Sequence, residues 1–382
     1  MLHFFTYSLI ALASLGCLYM FAAALIVPTF ARRDPEPRAS APAITLLKPL
    51  HGAEPGLYAN LASFCQQDYP GPVQIVFGVT NSHDPAIAVV ERLKAEFPGR
   101  QFDLVVDGRT GGTNPKVANL INMNARAQHD IIVLADSDIR VGPDYLTQVY
   151  DALEQVGEGA VTGLYFGIPA GGLWSQFSQL NVDGHFLPGV MTSVRLHLAE
   201  PCLGSTIAMH RSSLAAVGGF EAVANCLADD HALGEALRDR GEPVTVLPFA
   251  VGHMCNETSL AELWRHELRW ARTIRGVDPS GYAGWVINHA FALALLAFAL
   301  GGGATALWLA ATAIAGRAAL LYSIENHHGL PRHPYWLIPL RDLLSFAVYV
   351  AGFVTRDVDW RGHRYQLVSE GTLISEQRST TP

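Results

Sequence analysis

Two carboxylates set close together at the end of an apolar run are the first sign of chemistry in this chain. Asp136-Ser137-Asp138 closes the stretch IIVLADSDIR (Ile131 to Arg140), and the chain then turns at Gly142-Pro143. A continuous β-branched run of this kind reads as a strand buried on both faces, and so as a parallel one. Alternation along a strand would point Asp136 and Asp138 the same way at its carboxyl end. That is the edge where open α/β sheets hold ligands. Two carboxylates there suit a divalent cation able to bridge to the diphosphate of a nucleotide, while the plainer reading is an acidic turn after a strand. A second pair, Asp229-Asp230, opens the helical stretch HALGEALRDRG, where one of the two is a natural cap. Further on, Arg265, Arg269 and Arg272 share one helix face around HELRW. Such a face suits phosphate oxygens, or anionic lipid.

The elements that would position these residues alternate between strand and helix. ITLLKPL from Ile44 is a strand, and a helix follows from about Pro55 to Gln67. Strand VQIVFGV, helix Pro85 to Phe97, strand FDLVVD, helix Lys116 to Ala127 and strand IIVLA come next. This order predicts a parallel sheet with helices on its faces. No G-x-G-x-x-G follows the first strand, so the dinucleotide-binding fingerprint is missing. Gly142 to about Gly252 reads as irregular, and Ser259-x-x-Glu262 is a capping box opening a helix to about Arg275.

Half of the 382 residues are hydrophobic and 16% are charged, too apolar for an ordinary soluble enzyme. A net charge of −8 argues against a nucleic-acid-binding surface. Five scattered cysteines without Cys-x-x-Cys fit a reducing compartment and give no sign of a zinc site. Phe4 to Val27 is apolar and uncharged, long enough to cross a bilayer as an uncleaved anchor. Arg32 and Arg33 behind it put the downstream side in the cytoplasm. The chain divides into an anchor (1–30), a linker (31–43), a catalytic domain (44–280), membrane segments (285–355) and a cytoplasmic tail (356–382). The stretch from Trp285 to Ile324, broken at Gly301-Gly302-Gly303 and Arg317, holds two short crossings. Tyr335 to Val354 contains Arg341-Asp342, so it is interfacial or re-entrant, or the pair faces other helices. Counted as a third crossing it would carry the basic start of the tail (Arg356, Arg361, Arg364) outside, against the positive-inside rule. His327, His328 and His333 read as loop histidines without metal-ligand spacing.

LLKPLHG, QDYPGPVQIVFGV, HDPA, NPKVANL, DSDIRVGPDYL, LADDHALGEAL and HELRW occur in that order. Together they resemble the membrane glycosyltransferases of the ceramide glucosyltransferase type (families 2 and 21), over roughly Ile44 to Arg275 and again at WRGHRYQL. PAGGLW, HELRWART and the overall layout resemble most the bacterial hopanoid-biosynthesis-associated glycosyltransferases.

The resemblance implies a GT-A fold: a Rossmann-like parallel sheet, here flanked by transmembrane helices, with a nucleotide sugar at the carboxyl ends of its strands. Asp84 matches the aspartate on the uracil side, though it also stands where it can cap the helix at Pro85. Lys48 and Lys116 would bring positive charge to the nucleotide. Asp136 and Asp138 match the metal pair, for Mg²⁺ or Mn²⁺, with Asp138 the more direct ligand; animal ceramide enzymes carry Gly at that second position. Asp230 matches the catalytic base of an inverting transfer, leaving Asp229 as cap or support. Cys202, Gly204, Ser205 and Thr206 fall where the sugar pocket is lined. Arg269 and Trp270 fit Gln/Arg-x-x-Arg-Trp, whose first position is His266 here. The implied partners are a UDP-sugar, a lipid acceptor and the bilayer, on the cytoplasmic side of a bacterial inner membrane. The implied product is an N-acetylglucosamine-bearing hopanoid such as glycosylated bacteriohopanetetrol, with glucose or glucuronic acid on ceramide as the alternative. Two other classes are weighed: a processive polysaccharide synthase, for which the apolar segments are too few, and an inactive nucleotide-sugar-binding scaffold, against which the four aspartates stand.

Overall fold

A computed structural model describes residues 2–30 and 40–354, with the backbone of 357–360, 363–367 and 373–375. Arg32, Arg33, most of the linker, and Arg356 and Arg361 of the tail lie outside the described residues. After helix α1 (Leu2–Ile26) come β1 (Ile44–Pro49), α2 (Leu57–Cys65), β2 (Val73–Val79), α3 (Ala86–Glu96), β3 (Gln101–Val106), α4 (Pro115–Asn124) and β4 (Ile131–Leu134). β2, β1 and β4 pair in parallel with one another and β3 joins β2, as the sequence predicts. β1, β2 and β4 are buried along their whole length, which is why they read as unbroken apolar runs.

The second half departs from the prediction of a parallel sheet and of an irregular segment after Gly142. It contains β5 (Ile139–Arg140), α5 (Tyr145–Val156), β6 (Ala160–Pro169), α6 (Leu173–Asn181), α7 (Leu187–Arg195), β7 (Ile207–His210), α8 (Arg211–Ala216), α9 (Asp229–Asp239) and β8 (Val244–Cys255). The eight strands form one mixed sheet in the order β3-β2-β1-β4-β7-β6-β8-β5. β7 runs antiparallel to both β4 and β6. Chain order reverses around β1, and the crevice outside the carboxyl ends of β1 and β4 is the ligand position of such sheets. This is the GT-A-type α/β arrangement, closed on one side by apolar helices.

α10 (Leu260–Val277) starts at Ser259, whose hydroxyl accepts the Glu262 amide at 3.2 Å, while the Glu262 carboxylate takes the Thr258 amide at 2.8 Å. α11 (Pro279–Gly284), α12 (Ala290–Ala299), α13 (Gly303–His328) and α14 (Ile338–Ala351) follow. Among the described residues, three helical stretches are long and apolar enough to cross a membrane: His3–Thr29, Pro279–Ala299 and Gly303–His328. The first of the two later stretches begins before Trp285, at the proline of α11. Gly301 (φ 89°) and Gly303 (φ 56°) turn the chain between them in a backbone region that glycine enters without strain.

Arg341 and Asp342 face other helices. α14 exposes Leu340 and Leu343 on one side and buries Arg341, Asp342 and Ser345 on the other. Arg341 forks onto Glu267 of α10 with two bonds of 2.7 Å, and Nε of Arg317 in α13 reaches Asp342 at 3.1 Å. Between α6 and α7 the helix widens into a π turn, Val182–Phe186. Such turns are rare and re-aim side chains. Here His185 meets Asp342 at 3.1 Å and Asp183 meets His333 at 2.7 Å.

His333 lies in the loop after α13, as the sequence predicts, whereas His327 and His328 belong to the last turn of α13 itself. The His333 side chain is buried, with Nδ1 2.8 Å from Glu325 and Nε2 2.7 Å from Asp183. Burial acts to lower its pKa, but the two carboxylates hold it above the ordinary 6.5. A raised histidine pKa contributes stability that is complete below the unfolded value and fades as pH rises through the folded one. The thermal stability of wild type over His333→Phe should thus be largest below about pH 6.5 and shrink as pH rises above it. Melting curves of the two purified proteins on both sides of that pH check it, and a difference independent of pH would refute it.

Candidate active site

Each charged group at the sheet edge is set by local structure. β4 ends at Leu134, and Asp136 and Asp138 sit in the turn beyond it, not on the alternating strand. The carbonyls of that turn are all held. Asp136 O accepts the Lys48 ammonium at 2.6 Å, Ser137 O the Asn60 amide at 3.4 Å, and Asp138 O the Met254 amide at 2.9 Å. Lys48 itself is fully buried, 3.7 Å above the Phe64 ring. Burial brings its pKa down to about 7, against the pull of Asp136 and Asp138. It supports the turn from below and does not line the cavity.

Asn114 caps α4 by accepting the amides of Lys116 and Val117, at 2.9 and 3.2 Å, with Pro115 in the first turn. This puts Lys116 at the helix start, its ammonium 2.8 Å from Asp136 and 3.1 Å from Asp229. Burial acts to lower the Lys116 pKa, but Asp136, Asp229 and Asp230 around it hold it well above the usual lysine value. Burial raises Asp136 and Asp229 more than Lys116 lowers them. Asp229 and Asp230 occupy the first turn of α9, where the helix dipole favours negative charge. The cap position is Ala228, so Asp229 pairs with Lys116 instead of capping. Asp230 accepts the Gly204 amide on Oδ2 and the His231 amide on Oδ1, both at 2.8 Å.

His253 of β8 stands 3.3 Å from Asp138. Burial acts to raise the Asp138 pKa, but the charge and hydrogen bond of His253, with Lys48 and His266 beyond, bring it down to about 2. Sequence reading passed over His253, because it reaches Asp138 only through the pairing of β8 with β5, where Ile139 lies opposite it. His266, the odd residue of the HELRW motif, pairs with Glu257 and meets the Trp270 ring edge-on at 4.5 Å. No group of three or more His, Cys, Asp or Glu side chains able to hold a metal occurs among the described residues. Asp136 and Asp138 still fit a hard divalent cation: both offer carboxylate oxygens, and Oδ1 of Asp138 is buried without a hydrogen-bond partner among the described residues. Mg²⁺ is commonly held by one or two carboxylates, with water and substrate phosphates completing its shell.

These groups line one cavity of about 1220 Å³. Lys116, Asp136, Asp138, Cys202, Gly204, Ser205, Asp230, Arg269 and Trp270 all face it. Lys48, Asp84 and Thr206 do not. Asp84 accepts the Gly52 amide at 3.0 Å and the Ala86 amide at 2.9 Å, fastening the loop after β1 and starting α3. Thr206 is buried behind the wall against Tyr145, at 3.0 Å. Of the arginines Arg265, Arg269 and Arg272 of α10, Arg269 turns inward and Arg265 is exposed. At its other end the cavity is bounded by Tyr282, Trp285, His289, Ser345, Val348 and Tyr349 from the apolar helices.

Gly204 sits in the middle of the charged cluster. A Cβ there would lie 3.0 Å from Asp136 Oδ2, 3.2 Å from Lys116 Nζ and 3.3 Å from Asp230 Oδ2. Gly204→Ala should therefore displace the carboxylates and lower turnover on the order of 100-fold, the scale of a 1 Å misplacement. Melting temperature and steady-state rate measured together check this; wild-type turnover in a folded variant would refute it.

The model of Glycosyl transferase family 21 matches residues 8–373. Ceramide glucosyltransferase 1 of Caenorhabditis elegans is 28% identical over 54% of this chain, and the match spans 44% of its own length. Ceramide glucosyltransferase 3 of the same organism is 22% identical over 88% of this chain and 75% of its own length. Among solved structures, mannosyltransferase PcManGT from Pyrobaculum calidifontis, in complex with GDP-Man and Mn²⁺, is similar with a TM-score of 0.47 at 19% identity, covering 91% of this chain and 99% of that one.

Proposed function

Because the chain belongs to Glycosyl transferase family 21, we propose that it moves a sugar from a UDP-sugar to a hydroxyl of a membrane lipid, with inversion. The observation that carries this reading is the continuity of the cavity. One space joins the carboxylates at the sheet edge to side chains of α11, α14 and the turn before α12. A lipid hydroxyl entering from the bilayer would arrive at Asp230. Both Asp230 oxygens already accept backbone amides, which fixes the carboxylate plane. Asp230 takes the proton of the attacking hydroxyl as the oxygen reaches the anomeric carbon from the face opposite the diphosphate. Arg269 presents a guanidinium suited to phosphate oxygens, and Trp270 supplies an apolar wall. Lys48 and Asp84 act at one remove, by holding the loops after β4 and β1. Asp138, with Asp136, would hold Mg²⁺ or Mn²⁺, which supplies positive charge against the departing diphosphate.

The apolar stretches support a membrane topology. α1 leads the chain to the cytoplasmic face, and the two later spans, Pro279–Ala299 and Gly303–His328, carry it out and back. With α14 packed by its charged face, the catalytic domain and the basic start of the tail share one side, and the count of crossings agrees with the positive-inside rule. The bacterial inner membrane is the proposed location. The proposed acceptor is a polyhydroxylated hopanoid and the sugar N-acetylglucosamine, supported by the PAGGLW and HELRWART stretches. Glucosyl transfer to ceramide is the second reading, favoured by the names of the two nematode relatives.

Membranes containing the protein, given UDP-N-acetylglucosamine or UDP-glucose with bacteriohopanetetrol or ceramide, test the reading by lipid mass spectrometry. Glycosylated hopanoid is expected, with Asp230→Asn reducing the product about 10²- to 10⁴-fold, the worth of a general base. Glucosylated ceramide would replace the acceptor, and an Asp230→Asn protein as active as wild type would overturn the base assignment. Chelation by EDTA should abolish transfer, and added Mg²⁺ or Mn²⁺ should restore it. Asp138→Asn should raise the metal concentration needed for half-activity at least tenfold, a scale set by loss of one charged ligand. Full activity in EDTA would count against the metal.

A further inference from the structure

The membrane end of the cavity holds a polar side chain that the transfer chemistry leaves unused. His289 closes the turn Trp285–His289 before α12, is 4% exposed and lines the cavity. Neither of its ring nitrogens has a hydrogen-bond partner among the described residues. Its ring packs against Tyr349, Phe346 and His185, with centroids 4.8, 5.6 and 6.1 Å away. Buried polar groups are nearly always paired, so an imidazole with two unmet positions facing an open cavity points to a ligand.

The neighbouring groups narrow what that ligand can be. The Tyr282 hydroxyl donates to Tyr349 O at 2.7 Å, and the Tyr349 hydroxyl donates to Ala283 O at 2.9 Å. His185 is paired with Asp342, and Arg317 is held by Asp342 and by the carbonyls of Gly184 and Asn288. The Phe346 ring packs on the imidazole, and Trp285 and Val348 add apolar surface to the same cavity. The nearby cations are committed, so a phosphate is disfavoured. A neutral imidazole offers one donor and one acceptor, which matches a hydroxyl or a secondary amide.

We propose that His289 is the subsite for a second, uncharged polar group of the lipid acceptor, a hydroxyl or amide set back from the hydroxyl that Asp230 deprotonates. This rests on the lipid-acceptor reading above. It gives the cavity a way to select lipids carrying two spaced polar groups over lipids carrying one. A site built to hydrogen-bond a substrate group discriminates against the analogue that lacks it, because its own polar atoms then stay unpaired.

The test compares wild type, His289→Phe and His289→Gln in membranes, using whichever of bacteriohopanetetrol and ceramide wild type glycosylates. Each protein is also given the analogue of that lipid retaining only the reacting hydroxyl. Wild type should show a KM for the complete acceptor about tenfold below that for the analogue, the scale of one hydrogen bond. His289→Phe should erase that difference by raising the KM for the complete acceptor, with the KM for the UDP-sugar unchanged. His289→Gln, which keeps a donor and an acceptor, should restore most of it. An unchanged preference in His289→Phe, or an equal loss with both acceptors, would overturn the subsite while leaving the glycosyltransferase reading intact. Absence of transfer by wild type to either lipid would remove that reading and the subsite with it.

Discussion

Three carboxylates crowded against one lysine set the terms for this structure. Asp136, Asp229 and Asp230 come from the turn after β4 and the start of α9, and the Lys116 ammonium lies among them, at 2.8 and 3.1 Å from the first two. Like charges this close repel one another, and the ammonium between them offsets that repulsion. The ammonium is held there by the Asn114 cap of α4, and the turn is held by Lys48 beneath it. Gly204 keeps the space between the charges free of any side chain. The geometry of the candidate site is thus an electrostatic balance struck by three separate segments of chain. Removing the lysine would leave buried charge without a partner, a larger penalty than the pair's own contribution.

That balance explains which parts of the site the sequence could reveal. The parallel half of the sheet was readable because buried strands are unbroken apolar runs, and its boundaries fall within a few residues of expectation. Motif spacing then brought Lys116, Asp136, Asp138, Asp230, Arg269 and Trp270 to the right edge. Spacing does not tell whether a side chain faces the ligand or holds the loop that does. Lys48, Asp84 and Thr206 lie in matched motifs yet stand outside the lining of the cavity. The mixed half was not readable, since β7 has four residues, β5 has two, and β8 is interrupted by Pro248 and Gly252. His253 shows the cost: its meeting with Asp138 is decided by a strand register that no local pattern encodes.

The same limit applies at the membrane end. Arg317, Arg341 and Asp342 interrupt apolar stretches, and hydropathy reports composition without saying which side of a helix a charge occupies. α14 resolves it by geometry, with leucines outward and charges inward. The π turn at Val182–Phe186 is equally invisible in sequence, yet it aims Asp183 and His185 at two different helices.

Buried ion pairs are inefficient as stabilisers, because desolvation offsets most of their attraction. Their value here lies in direction. Apolar contacts are non-directional, so on them alone packed helices could slide or rotate against one another. The fork of Arg341 onto Glu267 fixes α14 against α10 in one register and one rotation. Glu267 lies two residues before Arg269, so that same contact sets which side of α10 faces the carboxylates. Arg317 and His333 tie α13 and the chain beyond it to the π turn. Through these links the membrane helices and the sheet edge become one frame. On the proposed reading, a lipid entering past Tyr349 would meet Asp230 at a distance fixed by this frame.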